Sequence, residues 1–359
     1  MITAIYSFLH FMIDGICAAA LFSRFASEGN VLLNFLVYNF CAFVLQMPFG
    51  AILDVLAGKD SKKAFPFVFA AAGAVLTLTG ALVSPVLLGI GNALFHVGGG
   101  VETIREDRRK QTRGRQLGIF VAPGAMGIFL GRLIGTGSIS WHPVFGISLT
   151  LILIPLFLLY RLIFHPTTPD RQEETAPEHG SGWDQPDGEE KPLAAGDGAS
   201  FYAALLLTGC FLVVILRSLT GLAVGFAWKN TVWMSLLAVT AVVLGKILGG
   251  IFAASLGRQK TVIYSLAGAA LCYAFSENLA AGLMALLLFN MTMPVTLQML
   301  VDRFRRRPGT MFGFLTVGLF LGYLPVQLHL NLPVTGKWLG VFASVISLLV
   351  LVCQRREMT

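Results

Sequence analysis

Apolar runs of roughly twenty residues recur along this chain, and their repetition constrains the fold more than any single motif does. They lie near residues 4–26, 31–56, 64–83, 84–104, 114–139 and 143–164, then near 200–225, 232–256, 261–276, 279–301, 309–328 and 335–353. A helix of that length crosses a hydrocarbon layer of about 30 Å, where every backbone polar group must be satisfied within the protein. Only helices and closed barrels meet that condition, and continuous runs in place of short alternating strands exclude the barrel. Composition agrees, because 55% of the 359 residues are hydrophobic and 13% are charged, with a mean hydropathy of +0.75. The expected fold class is an all-α integral membrane protein with twelve transmembrane helices in two six-helix halves. The first run has no basic leader and no A-x-A cleavage pattern, so it is expected to be retained as a helix. Cys17, Cys41, Cys210, Cys272 and Cys353 form no C-x-x-C pair and read as small buried hydrophobes.

Residues 165–199 separate the two sets of six runs and carry nine acids against two bases, with many Pro and Gly. Such a segment has almost nothing to bury and reads as a linker between halves 1–164 and 200–359. Bases mark one side of the membrane. Lys59, Lys62 and Lys63 follow the second run, Arg105, Arg108, Arg109, Lys110, Arg113 and Arg115 the fourth, Arg258 and Lys260 the eighth, and Arg303, Arg305, Arg306 and Arg307 the tenth. The tail adds Arg355 and Arg356, whereas the opposite loops hold little beyond Arg24, Lys229 and Lys337. The positive-inside rule then places both termini and the linker in the cytoplasm of a cell whose plasma (inner) membrane holds the chain. Trp141, Trp228, Trp233 and Trp338 fall near the external ends of runs, as an interfacial belt does. The net charge of +7 is thus mostly topology, and scattered loop bases give no nucleic-acid surface.

Polar groups inside the runs repeat every four residues and so share helix faces: His10 and Asp14, Asn92 and His96, and Asn290, Pro294 and Gln298. Ionisable groups in hydrocarbon face a cavity or a partner helix. His10 and Asp14 either bond each other alone or form a proton-binding pair, with Asp14 as the carboxylate and His10 as its relay or a substrate contact. Two residues at H-x-x-x-D spacing are too few for a metal site, and no cofactor is expected. Arg217 in the seventh run cannot shed its proton, so it requires a carboxylate or an anionic ligand. Lys246 and Arg132 add positive charge, although Lys246 could pair with a helix end and Arg132 could reach outward. Glu102, Arg105 and Asp54 form either a gating charge cluster at the basic end or ordinary solvated loop ends. The glycines Gly98, Gly99 and Gly100, like those of "GIFVAPGAMGIFLGRLIG" in the fifth run, suit close helix packing.

Two loops look alike. "GAILDVLAGKDSKK" follows the second run and "GGIFAASLGRQK" the eighth, which suggests an internal duplication. Gly50, Asp54, Gly58 and Lys59 resemble the signature loop of the major facilitator superfamily with one extra residue of spacing; Gly250, Gly257 and Arg258 repeat it with Ala254 in place of the acid. Within that superfamily the chain resembles fosmidomycin-resistance-type efflux proteins, through His10 and Asp14, "ALFHVGGG" at 93–100, "LRS" at 216–218, and "PVT" and "RPG" at 294–296 and 307–309. The resemblance implies that runs one, four, seven and ten line a central cavity, with Asp14 facing Arg217 across it. Antiporters of the superfamily carry a Gly-Pro motif in the fifth run; here the order is reversed, Pro123 before Gly124.

No G-x-x-x-x-G-K-S/T loop, H-E-x-x-H or G-x-S-x-G occurs, so no enzyme activity is expected and transport would be secondary. The reading is a monomeric transporter working by alternating access, whose partners are protons, a small-molecule substrate and the lipid bilayer. Proton-coupled export of a small anionic or drug-like compound leads, with proton-coupled uptake of an organic anion or lipid flipping as alternatives.

Overall fold

The computed structural model describes residues 1–59, 64–137, 141–165 and 197–354, and every regular element among them is helical. In chain order these are α1 (Ile2–Phe25), α2 (Val31–Ala57), α3 (Ala64–Val83), α4 (Pro85–Arg109), α5 (Arg115–Thr136) and α6 (Trp141–Phe164). There follow α7 (Asp197–Ala223), α8 (Val232–Leu256), α9 (Arg258–Ala274), α10 (Leu279–Arg303), α11 (Pro308–Gln327) and α12 (Gly336–Val352). Among the described residues nine helices are long and apolar enough to cross a membrane. The chain is a multi-pass membrane protein. Most of the acidic segment at 165–199, with Lys62, Lys63, Arg355 and Arg356, lies outside the described residues, as does the Trp141 side chain.

Helices α2, α4, α8 and α10 begin with polar caps. Asn30 accepts from Leu33 N, Ser84 from Leu87 N, Thr231 from Met234 N, and Asn278 from Ala280 N. Each fills one of the amide positions that a helix leaves without an internal partner. The same end carries Trp233 and Trp338, 74% and 53% exposed. The sides of the bundle are apolar and uncovered at Ile147, Phe157, Tyr264, Leu271 and Leu349, which suits hydrocarbon as the surrounding solvent.

Helices approach closely where glycine allows it. A Cβ at Gly127 or Gly131 of α5 would stand 2.2 or 2.1 Å from the carbonyl oxygen of Phe11 or Gly15 on α1, so α5 lies directly on α1. α3 packs along α4, α9 along α12, and α7 along α11. Two further contacts tie the first six helices to the last six, α2 against α11 and α5 against α8. These seams bracket the polar groups described next.

Candidate functional site

Helix α5 is interrupted. It runs as Arg115–Val121, breaks at Ala122 and resumes as Pro123–Thr136. Pro123 has no N–H to donate to the Ile119 carbonyl four residues earlier, so the carbonyls at the end of the first segment need other donors. Three polar side chains supply them. Ser7 Oγ donates to Ile119 O at 3.2 Å, His10 Nδ1 to Phe120 O at 2.7 Å, and Lys246 Nζ to Val121 O at 3.2 Å. The sequence offered a helix end as one partner for Lys246, and this broken end is it.

His10 is thereby fixed as an Nδ1–H tautomer, since a carbonyl oxygen only accepts. His96 is fixed likewise, through its Nδ1 and Asn92 O at 2.8 Å. Both Nε2 atoms then point inward, 2.9 Å apart, with the rings edge to face at 84°. Asp14 completes the group: its Oδ2 lies 3.1 Å from His10 Nε2 and its Oδ1 3.6 Å from His96 Nε2. Asn92 Nδ2 donates to Asp14 Oδ1 at 2.9 Å and approaches Cys17 Sγ at 3.5 Å. His10, Asp14 and Asn92 are buried, and a Cβ at Gly124 would meet His10 Nε2 at 2.3 Å and Asp14 Oδ2 at 2.4 Å. Four residues expected from helix-face spacing are thus joined in one cluster. The fourth helix supplies the third titratable group that the H-x-x-x-D spacing lacks.

Arg217 is different. It is 7% exposed, its Nη1 is buried without a hydrogen-bond partner, and no described carboxylate pairs with it. Asp14 does not face it as an ion-pair partner, because the Asp14 oxygens are engaged by Asn92 and the two histidines. Lys246 lies within electrostatic reach of both Arg217 and Asp14. Arg132 is exposed and lies over the Phe22 ring, 5.1 Å from its centroid.

Asn290 and Gln298 do not join the cluster. α10 is interrupted at Met291, between the two residues. Asn290 Nδ2 donates to Leu286 O of its own helix, and Gln298 lies against Gly114 with a buried Oε1 that has no partner.

The basic end is sealed by a separate set of contacts. Asp54 of α2 accepts from Gly309 N at 2.8 Å, and from Thr310 N and Oγ1 at 2.7 Å each, so it caps α11. The backbones touch beside it, since a Cβ at Gly50 would fall 2.1 Å from Gly309 O. Glu102 and Arg105 pair at 3.6 Å, with Tyr6 and Asp54 as charged or polar neighbours. Two further residues join this end without a sequence-based expectation. Arg108 donates to Val301 O and Arg305 O, bridging α4 to the end of α10, and Asp107 gathers Thr112 Oγ1, Gly114 N and Gln116 N. Asp107 holds a tight turn in which Gln111, Arg113 and Gly114 all have positive φ. Asp302, paired with Arg258 at 3.0 Å, stands seven residues before Gly309 as Asp107 does before Gly114. That repeated Asp-Arg and Gly spacing is the signal that could have found them.

No family model matches the chain, and no curated protein does. Solved structures do match in fold. A crystal structure of FucP, a major facilitator superfamily transporter, in the outward conformation covers 99% of this chain and 98% of its own at a TM-score of 0.62 and 11% identity. A single-residue variant of the fucose:proton symporter FucP from E. coli gives a TM-score of 0.58 over the same shares at 15% identity. At these identities the likeness establishes the major facilitator fold, and the narrower resemblance to fosmidomycin-resistance-type proteins stays a sequence-based expectation.

Proposed function

We propose that this chain is a secondary active transporter, with twelve transmembrane helices in halves 1–164 and 200–359 joined by the acidic segment 165–199. In this reading it is a monomer of the plasma membrane with both termini and the linker in the cytoplasm. It exports a small anionic or drug-like compound, coupled to protons, by alternating access around a site between the halves. The observation that carries the reading is Arg217, a buried guanidinium with a partnerless Nη1. An arginine in hydrocarbon keeps its charge, so an acidic group on a ligand is what completes its surroundings. Lys246 adds a second positive charge within reach of the same group.

Proton coupling is assigned to His10, Asp14 and His96. Two imidazoles whose Nδ1 atoms already face carbonyls bring their Nε2 lone pairs to 2.9 Å, and that contact is favourable only with a hydrogen between them. Asp54, Glu102 and Arg105 act as the cytoplasmic gate. Asn290 and Gln298 serve the substrate path at two levels, Asn290 beside α8 and Gln298 beside the gate.

Proton-coupled uptake of an organic anion is the second reading, supported by the fold shared with a fucose:proton symporter. Proteoliposomes with a trapped pH indicator, exposed in turn to organic carboxylates and phosphonates, test both readings. Anion-dependent proton movement is expected, and its sign separates export by exchange from uptake by symport. Anion movement unaffected by Arg217→Gln would refute the site.

A further inference from the structure

His10, Asp14 and His96 present, besides a place for a proton, the donor set of a transition-metal site. Each offers one ligand atom, and these atoms lie within 4.8 Å of one another. We propose that the cluster binds one divalent cation of the zinc class through His10 Nε2, His96 Nε2 and an Asp14 carboxylate oxygen.

Four observations support this assignment. First, the ring atoms that would not touch the ion are already placed. Both Nδ1–H groups are held by backbone carbonyls, Phe120 O and Asn92 O, which is the outer arrangement that orients metal-binding histidines. Second, the spacing is close to what an ion requires. Two imidazole nitrogens on a tetrahedral zinc sit about 3.3 Å apart, from Zn–N distances of roughly 2.0–2.1 Å, and the two Nε2 atoms are 2.9 Å apart with Asp14 Oδ2 at 3.1 Å from one of them. A few tenths of an ångström of ring movement opens the set around an ion.

Third, Gly124 keeps the adjoining volume clear. A side chain there would begin 2.3 Å from His10 Nε2 and 2.4 Å from Asp14 Oδ2, filling the space where a ligand to those atoms enters. Fourth, the cluster is not sealed off: the side chains keep 7% exposure at His10, 11% at Asp14 and 12% at His96. Two nitrogen donors disfavour Mg²⁺ and Ca²⁺, which select oxygen, and favour Zn²⁺, Co²⁺ or Ni²⁺. A dication facing one carboxylate leaves a net positive site with an open coordination position for water or an acidic ligand. The ion and the proton use the same lone pairs and exclude one another.

The assignment stands apart from the transport reading, and its test uses neither substrate nor transport. The full-length protein in detergent, stripped with chelator, is titrated with Zn²⁺ by calorimetry and with Co²⁺ by visible absorption. One ion per chain is expected, with affinity falling tenfold or more in His10→Asn and in His96→Asn, and retained in Cys17→Ser. Should either histidine variant fail to fold, X-ray absorption of the zinc-loaded wild type decides. A shell of nitrogen and oxygen with imidazole scattering is expected, and a sulfur shell overturns the ligand set. No stoichiometric binding by the wild type, or equal binding by His96→Asn, overturns the proposal. Anion-driven proton flux measured in excess chelator tests the transport reading separately.

Discussion

Two buried charged groups in this protein stand in opposite conditions. Around Asp14, the oxygens meet Asn92 and two histidines, and both histidine Nδ1 atoms meet carbonyls. Around Arg217, no described acid answers the charge and Nη1 meets nothing. The first group is satisfied by the fold and so helps to hold α1, α4 and α5 together. The second carries an unrelieved desolvation cost, which in the proposed function an acidic ligand would relieve. Lys246 belongs to both, since it donates to Val121 O beside the carbonyl that His10 uses, while sitting within reach of Arg217.

The largest expected effect breaks the comparison on the Arg217 side. Arg217→Gln should weaken binding of an organic anion on the order of 100-fold or more, as loss of one partner of a buried charge pair does. The same substitution removes an unpaired buried charge from the free protein, so its thermal midpoint in detergent should stay level or rise. A clear drop in that midpoint would mean that Arg217 has a structural partner and is not held in waiting.

Asp14→Asn should behave in the reverse sense. It takes the negative charge from a group of four residues and should cost about 3 kcal/mol of stability, with anion-driven proton flux lost even where anion binding persists. Wild-type flux in this variant would move the coupling role elsewhere.

Much of this contrast is legible in the sequence. The four-residue spacing of His10 with Asp14 and of Asn92 with His96 puts each pair on one helix face, and the charge of Arg217 marks it as needing a partner. What joins the pairs is not legible there, because the meeting of α1 with α4 is tertiary. Nor is the role of Pro123, whose missing N–H matters only through the side chains that reach the carbonyls before it. Asn290 and Gln298 are eight residues apart, on either side of the interruption at Met291, and meet different neighbours, Gly245 of α8 and Gly114. The expected pairing of Asp14 with Arg217 assumes that each charge finds its opposite, whereas two nearby imidazoles and an amide are enough for Asp14.

A third satisfied charge, Asp54, sharpens the comparison at the basic end. It caps α11 through three donors across the α2 and α11 seam, and Ala254 at the equivalent place in the second loop has no carboxylate to do the same. The lock is therefore one-sided. Asp54→Asn should weaken it by about 2 kcal/mol, the range for hydrogen bonds to a charged group. Turnover should slow while equilibrium anion binding stays within a few-fold, since the residues near Arg217 are untouched. The separation of spin labels placed on exposed residues of α2 and α11 should rise in the variant. An unchanged separation with abolished binding would move Asp54 from the gate to the site.

The smallest expected effect tests why the satisfied region is satisfied. Ser7 Oγ has one hydrogen, shared between two carbonyls, Thr3 O at 2.7 Å in its own helix and Ile119 O at 3.2 Å in α5. Ile119 O needs a donor because Pro123, four residues on, has none to give. Ser7→Ala should therefore cost about 1 kcal/mol, the net worth of one such hydrogen bond. Pro123→Ala restores an N–H at the position a continuous helix uses, so the Ile119 carbonyl gains a donor from its own chain. In that background Ser7→Ala should cost less, only what its bond to Thr3 O contributes, and the difference between the two costs is the coupling read by a double-mutant cycle. His10 offers the matching control, because its partner Phe120 O pairs in a continuous helix with Gly124, not with residue 123. If Ser7→Ala costs the same with Pro123 and with Ala, the break in α5 is not what recruits Ser7, and the order found around Asp14 has another source.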